Sequence, residues 1–464
     1  MVFDENVHFS IIQAYAHQWG PFFPAHSTMV EPFGAVARDP SFLYRWLMSF
    51  PYRLVAHVTS DQMVQVIDLR FINIFMFGGG LVLFRRLLLK TKVSPAIINA
   101  SLLFFVLMPV VPLLAGQINY DNLLMPVTAA ALLFTLSVVE QFKQGKLPVA
   151  RIAWLLTLCL LGSLVQVEFL PIFAAIIIFI AWQLQRSAYI KELRVKESLV
   201  QGWHSSGWGR KLAVLLPVIL AFYLCFELFG VNLVRYHTLT PSCGQVLTAR
   251  ACQGDANWVR TQAALAHPAA ANSSPFIFAA SWTYRMFIAL FFTNSGGQAN
   301  YLSINPLPLI FMGALAVFGL GVLLFVRYRQ AIFKGYSHMG FLVWVTFVYS
   351  AVLWLHNYHD YTRFGQKFAI QGRYLLPVAL LAMVMLALAF KQLFGHRLHL
   401  KAGLVIGVFV LFLQGGGTLA YIVDSHQNWY WQNRAVVRLN QLAQQVVKPL
   451  ILVRTPLKSF GRLD

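Results

Sequence analysis

Acidic residues are scarce in this chain. Asp and Glu together number 16 among 464 residues, against 36 Lys and Arg. Any carboxylate beside an apolar run is therefore conspicuous. Cysteine is scarce too, and 4 residues cannot staple a disulfide scaffold. Cys159 and Cys225 fall inside apolar runs and read as packing residues. Cys243 and Cys252 share one polar loop, where a disulfide and a pair of free thiols stand as alternatives. A Gly-rich phosphate loop, a CxxC pair and zinc-like His/Cys spacing are all missing, so no motif points to a nucleotide or to structural zinc.

What the chain has in abundance is hydrocarbon. It is 58% hydrophobic and 11% charged, with 39 Phe and a mean hydropathy of +0.63. A soluble domain could not keep such a surface in water, so the composition specifies an integral membrane protein whose first partners are membrane lipids. The formal charge of +20 does not signal nucleic acid. Much of the basic charge lies in short connectors between apolar runs, where it sets orientation.

A spanning helix needs roughly 20 apolar residues. Runs near 68–88, 95–115, 121–139, 149–163, 166–184, 211–231, 304–327, 338–356, 373–391 and 402–422 meet or approach that length. The fourth and fifth are short and joined at Gln166–Glu168, which predicts a tight helical hairpin. Arg85, Arg86, Lys90 and Lys92 fall on the same side as Lys143, Lys146 and Arg151. The 186–211 connector, then Arg327, Arg329 and Lys334, then Lys391, Arg397 and Lys401 share it as well. The positive-inside rule makes that side cytoplasmic.

The organisation expected is a first outer loop over 1–65, a membrane module over 66–231, an outer loop over 232–303, a second membrane module over 304–423 and an amphipathic tail over 424–464. Residues 275–293 are apolar, yet a span there would invert the later basic connectors, so a re-entrant or interfacial helix is expected. The tail carries Arg434, Arg438, Lys448, Arg454, Lys458 and Arg462 on the outer side, against the rule, and Trp429 to Val453 reads as a surface helix. Met1 leads directly into Val-Phe-Asp-Glu, with nothing to direct the polar start across a membrane. The reading therefore expects a further helix upstream, and with it about eleven spans in place of about ten.

Three stretches carry candidate chemistry. Phe3-Asp4-Glu5-Asn6-Val7-His8-Phe9 places an acidic pair at the outer surface. Such a pair can take a proton from an acceptor hydroxyl or hold a divalent cation. The plainer alternative is a helix start, with Asp4 as the cap and Glu5 in the first turn. Gln117-Ile118-Asn119-Tyr120-Asp121-Asn122 emerges on the same face, and Asp121 carries the same ambiguity. Gln371-Gly372-Arg373-Tyr374-Leu375-Leu376-Pro377 enters a span from that face, with Arg363 and Lys367 upstream. Its guanidinium suits a lipid phosphate, or equally a snorkelling anchor, and Arg70 is open to the same two readings. Glu168 and Glu227 are ionisable groups at membrane depth and functional candidates on that ground alone. No partner for Glu227 is legible. His356 and His359 offer a metal pair or polar helix-end residues.

Taken in order, these stretches resemble the GT-C fold superfamily of polytopic glycosyltransferases, which use polyprenyl-phosphate sugars. The pattern Asp-Glu-x-x-His-Phe is similar to a family of bacterial membrane proteins within it. Leu69-Arg70-Phe71, Asn119-Tyr120-Asp121 and the Arg373 motif match the same look, between residues 3 and 377. The resemblance implies an all-α, GT-C-like fold and Asp4 as catalytic base or metal ligand, assisted by Glu5 and Asp121. It also implies a lipid phosphate held by Arg70, Arg373 and Lys367, with His8, Asn119, Tyr120, Gln371 and Tyr374 in the binding set. Related enzymes often place a basic residue where this chain has Glu168, a departure that removes one phosphate contact. The implied setting is a bacterial inner membrane and cell envelope, with a polyprenyl-phosphate-linked sugar as donor and no cofactor beyond a divalent metal ion. A transporter or flippase of lipid-linked or anionic solutes is the rival reading; it expects mid-membrane charges such as Glu227 and internal repeats.

Overall fold

A computed structural model describes residues 4–24, 27–191, 207–266, 274–291, 308–367, 370–415, 434–447 and 449. Among the described residues the secondary structure is helical, with no strand. In chain order the helices are α1 (Glu5–Ala16), α2 (Leu43–Val58), α3 (Gln62–Leu89), α4 (Pro95–Leu107), α5 (Val110–Ala115), α6 (Asp121–Lys143), α7 (Val149–Val165) and α8 (Leu170–Lys191). Then come α9 (Trp208–Cys225), α10 (Val231–Tyr236), α11 (Cys243–Val246), α12 (Ala256–Ala266), α13 (Pro275–Phe291), α14 (Pro308–Gly335), α15 (Met339–Phe364), α16 (Leu376–Phe394), α17 (Leu398–Gly415) and α18 (Arg434–Val447).

Among the described residues seven stretches are long and apolar enough to cross a membrane: Gln62–Leu89, Asp121–Lys143, Val167–Ser187, Lys211–Tyr236, Leu309–Gly335, Met339–Phe364 and Gly372–Phe394. The chain is thus a multi-pass, all-α membrane protein. Helix is the form such spans take because it satisfies every backbone N–H and C=O internally, where no water can. The other three expected spans fall on shorter apolar helices. The 95–115 run breaks between Leu107 and Val110, where Pro109 lacks the N–H to continue the ladder. The 149–163 run is α7, 17 residues long. The 402–422 run is α17, and its last residues lie outside the described set. The expected hairpin is present, with a 3-10 turn over Val167–Phe169 joining α7 to α8. The apolar 275–293 stretch is α13, again 17 residues. Within the tail α18 is strongly amphipathic; what lies around it is outside the described residues.

The chain divides into two compact units: residues 1–98, 114–278 and 336–369, and residues 99–113, 279–335 and 370–464. In the first, α6 is the axis, packed against α3, α7 and α8. Close approach of α3 depends on Gly80, where an added Cβ would stand 2.9 Å from the backbone nitrogen of Pro126. Its neighbours Gly78 and Gly79 face open space. The π turn Phe226–Gly230 sits between α9 and α10 and carries Glu227. In the second unit α16 is the most enclosed helix, and α14 packs against it and against α17. Gly372 begins a 3-10 turn pressed against α13, and an added Cβ would lie 2.4 Å from the Leu290 nitrogen.

Candidate functional site

The first unit gathers two of the three sequence motifs. α1 buries one face, including Glu5, His8, Phe9, Ile12 and Tyr15, so the helix start is drawn into the protein. Glu5 is fully enclosed, and a carboxylate taken out of water needs an opposite charge and donors to occupy its oxygens. Arg70 on α3 supplies both, with Nε 2.8 Å from Oε1 and Nη2 2.6 Å from Oε2. The backbone N–H of Ile118 donates to the same Oε1 at 3.0 Å. One carboxylate thus ties together chain stretches that are far apart in sequence.

The turn that carries Ile118 is built by amides. Asn119 is buried, and its Oδ1 accepts from the backbone N–H of Asp121 at 2.9 Å, starting α6. Asn122 donates through Nδ2 to the carbonyls of Leu114 and Gln117, at 3.1 and 2.8 Å, and to Asn73 Oδ1 at 3.0 Å. Asn73 Oδ1 also accepts from the Tyr44 hydroxyl at 2.8 Å. Burial holds the Tyr44 phenol well above its ordinary range, against a smaller downward pull from the Asn73 hydrogen bond, so it stays a neutral donor. Asp121 is 4% exposed at the head of α6.

His8 adds a second link. Its ring stands edge-on to Tyr120, with centroids 5.0 Å apart. Arg45 Nε donates to His8 Nδ1 at 3.3 Å, which leaves the imidazole proton on Nε2. Arg45 Nη1 donates in turn to Asp39 Oδ2 at 2.8 Å.

Asp4 behaves unlike its neighbour. It occupies the position before α1, but its backbone is left-handed, φ 62°, and its side chain makes no cap hydrogen bond. It is exposed while Glu5 is enclosed. The Asp4 side chain thus does not cap α1. The pair also does not fit a divalent cation, because both Glu5 oxygens already face the Arg70 fork. Among the described residues no group of three or more His, Cys, Asp or Glu is arranged to hold a metal.

The third motif lies in the second unit. Arg373 is 4% exposed, and its guanidinium carbon is 5.2 Å from the Tyr374 ring centroid. Gln371 keeps Oε1 buried with no hydrogen-bond partner among the described residues. Lys367 belongs to the first unit, with Nζ 5.9 Å from the Tyr361 ring centroid. Of the two histidines His356 and His359, His356 places Nε2 3.6 Å from Asp360 Oδ2, one turn along α15.

Several participants were not legible from the sequence. Glu227 has a partner after all, since Arg38 Nη1 is 3.4 Å from its carboxylate and donates to its carbonyl at 3.3 Å. Asn73 had a readable signal, a lone amide inside an apolar run, which must find a partner once buried. Cys243 and Cys252 form a disulfide, Cα atoms 5.7 Å apart. The segment after that bridge docks against the N-terminal stretch: a Cβ on Gly254 would lie 2.5 Å from the Pro32 carbonyl oxygen. The hairpin turn docks there too, the backbone N–H of Val167 donating to Ser41 Oγ at 3.2 Å. The chain matches no protein-family model, no curated protein and no solved structure.

Proposed function

We propose that this chain is a membrane glycosyltransferase that moves a sugar from a polyprenyl-phosphate donor to an acceptor hydroxyl at the outer face of the membrane. The observation that carries the reading is the Glu5–Arg70–Ile118 junction, which joins the Asp4 and Asp121 motifs in one unit. Glu5 is a positioning residue, because its oxygens are committed to Arg70 and Ile118. Asp4 is the base. The acceptor oxygen attacks the anomeric carbon, its proton passes to Asp4, and the bond from that carbon to the phosphate oxygen breaks. Polyprenyl phosphate leaves with the electron pair and is a good enough leaving group that no nucleotide site is required. Lys367, in the same unit, is the cation we assign to the departing phosphate. The rival transporter reading leaned on Glu227, and the contact with Arg38 accounts for that residue structurally.

The test uses the full-length protein in membranes supplied with polyprenyl-phosphate sugars, following release of free polyprenyl phosphate. Loss of a general base costs about 100-fold or more, so Asp4→Ala is expected to abolish release while the protein still folds. If the wild type released nothing from any donor, or if Asp4→Ala released as fast as wild type, the proposal would fail.

A further inference from the structure

At the end of α6 opposite Asp121, the helices α6, α8 and α15 enclose a cavity of about 830 Å³. Its walls include Phe179, Trp182, Phe341 and Trp344, and Lys143 and Arg186 stand at its edge. The aromatic walls are held in place. Trp344 donates its indole N–H to the Ala175 carbonyl at 3.0 Å, and Phe179 stacks on Phe341 with centroids 4.5 Å apart. Trp182 lies 5.8 Å from Phe179 and carries the Arg186 guanidinium 5.8 Å from its own centroid. Trp182 is 51% exposed on a helix apolar enough to cross a membrane, so the cavity is open to hydrocarbon along that wall.

The charges at the edge are cationic. Lys143 and Arg186 are exposed, and among the described residues no carboxylate forms an ion pair with either. Glu140, one turn before Lys143, is already engaged by Lys90 at 3.1 Å. A soluble phosphate would satisfy the cations and leave the aromatic walls idle. A zwitterionic lipid would bring its own ammonium towards them. A ligand that uses both halves has a net negative phosphate and an alkyl chain. We propose that this cavity binds an anionic glycerophospholipid, its phosphate between Lys143 and Arg186 and an acyl chain along Phe179, Trp182 and Trp344. The 23 residues of α6 place this site ~34 Å from Asp121, so it is separate from the transfer site proposed above.

The experiment titrates delipidated full-length protein in neutral detergent with phosphatidylglycerol, phosphatidylcholine or glycerol 3-phosphate, and reads bound ligand by native mass spectrometry. Phosphatidylglycerol is expected to bind at least roughly ten-fold more tightly than phosphatidylcholine, and Lys143→Gln with Arg186→Gln to weaken it roughly 25-fold, at about five-fold per cation. Phosphatidylcholine binding is expected to stay as it was. Equal binding of the two lipids, or a preference that survives the double variant, would overturn the proposal. Competition by glycerol 3-phosphate as potent as that of the lipid would assign the cations to free phosphate and overturn it too. A second reading does not depend on the charge variant folding. Phosphatidylglycerol with brominated acyl chains should quench tryptophan fluorescence less in Trp182→Phe/Trp344→Phe than in wild type, and unchanged quenching counts against the site.

Discussion

Neutralising one member of a buried ion pair strands the other charge, and Glu5 with Arg70 is such a pair: the Glu5 side chain is 0% exposed and that of Arg70 25%. Glu5→Gln and Arg70→Gln are each expected to lower stability by about 3 kcal/mol. The double variant should cost much less than the sum of the two, because no bare charge is then left behind. Unfolding in detergent would show this, and strictly additive losses would mean the two side chains act independently. A second residue makes a pH prediction. His338, just before α15, has its pKa lowered from 6.5 by burial and then by Lys143; Glu140, 3.8 Å away, opposes this, and Lys90 adds to the lowering. The unfolded chain therefore takes up a proton near pH 6.5 that the folded chain refuses until lower pH. Stability is full above that value and falls as the pH drops below it. A His338→Gln variant should lose this slope between pH 6.5 and the lower folded value; an unchanged slope would locate the acid sensitivity elsewhere.

At the scale of elements, the α3–α6 contact is decided by which glycine of Gly78-Gly79-Gly80 faces α6. The three look alike in sequence. Only at Gly80 does a Cβ meet backbone, at 2.9 Å, while nothing lies within 4 Å at Gly78. Gly80→Ala should push the helices apart and cost about 1–3 kcal/mol. Gly78→Ala should be neutral or stabilising by up to ~1 kcal/mol, since glycine is a poor helix former. A loss at Gly80 with none at Gly78 is the result expected in paired melting curves, and equal losses would mean that the helices pack through another face. The 62–89 span and its triple glycine are visible in the sequence, but which of the three touches a neighbour depends on rotation about the helix axis, set only when α6 packs.

For the molecule as a whole, the charge pattern makes a claim about sides. Lys143 ends α6 and Lys146 follows it, whereas the disulfide-bridged segment follows α10. Lys146→Cys and Gln262→Cys should therefore react with an impermeant maleimide from opposite sides of sealed membranes. Labelling of both from one side would refute the alternation read from the basic connectors. The Cys243–Cys252 bridge closes a short loop, separation 9, worth ~2.5 kcal/mol in the chain-entropy view. Cys243→Ser with Cys252→Ser should loosen that segment where it meets Pro32, seen as faster amide exchange there. Exchange unchanged throughout would show that packing alone holds it.

The membrane class, the approximate spans and the hairpin at Gln166–Glu168 were legible because hydropathy is a local, additive property of the chain. The motif residues could be named for the same reason, as acids and arginines beside apolar runs. Their roles could not be read in that way. Asp4 and Glu5 are adjacent and chemically alike, yet one is enclosed by Arg70, 65 positions away, and the other is exposed. Glu227 lacked a visible partner because Arg38 lies 189 positions from it. Which scarce carboxylate is enclosed and which is exposed depends on what the packed helices bring beside it. Hydropathy alone assigns this protein to a membrane, whereas how its few carboxylates are held there follows from packing, because the energy of a buried charge is set by its neighbours.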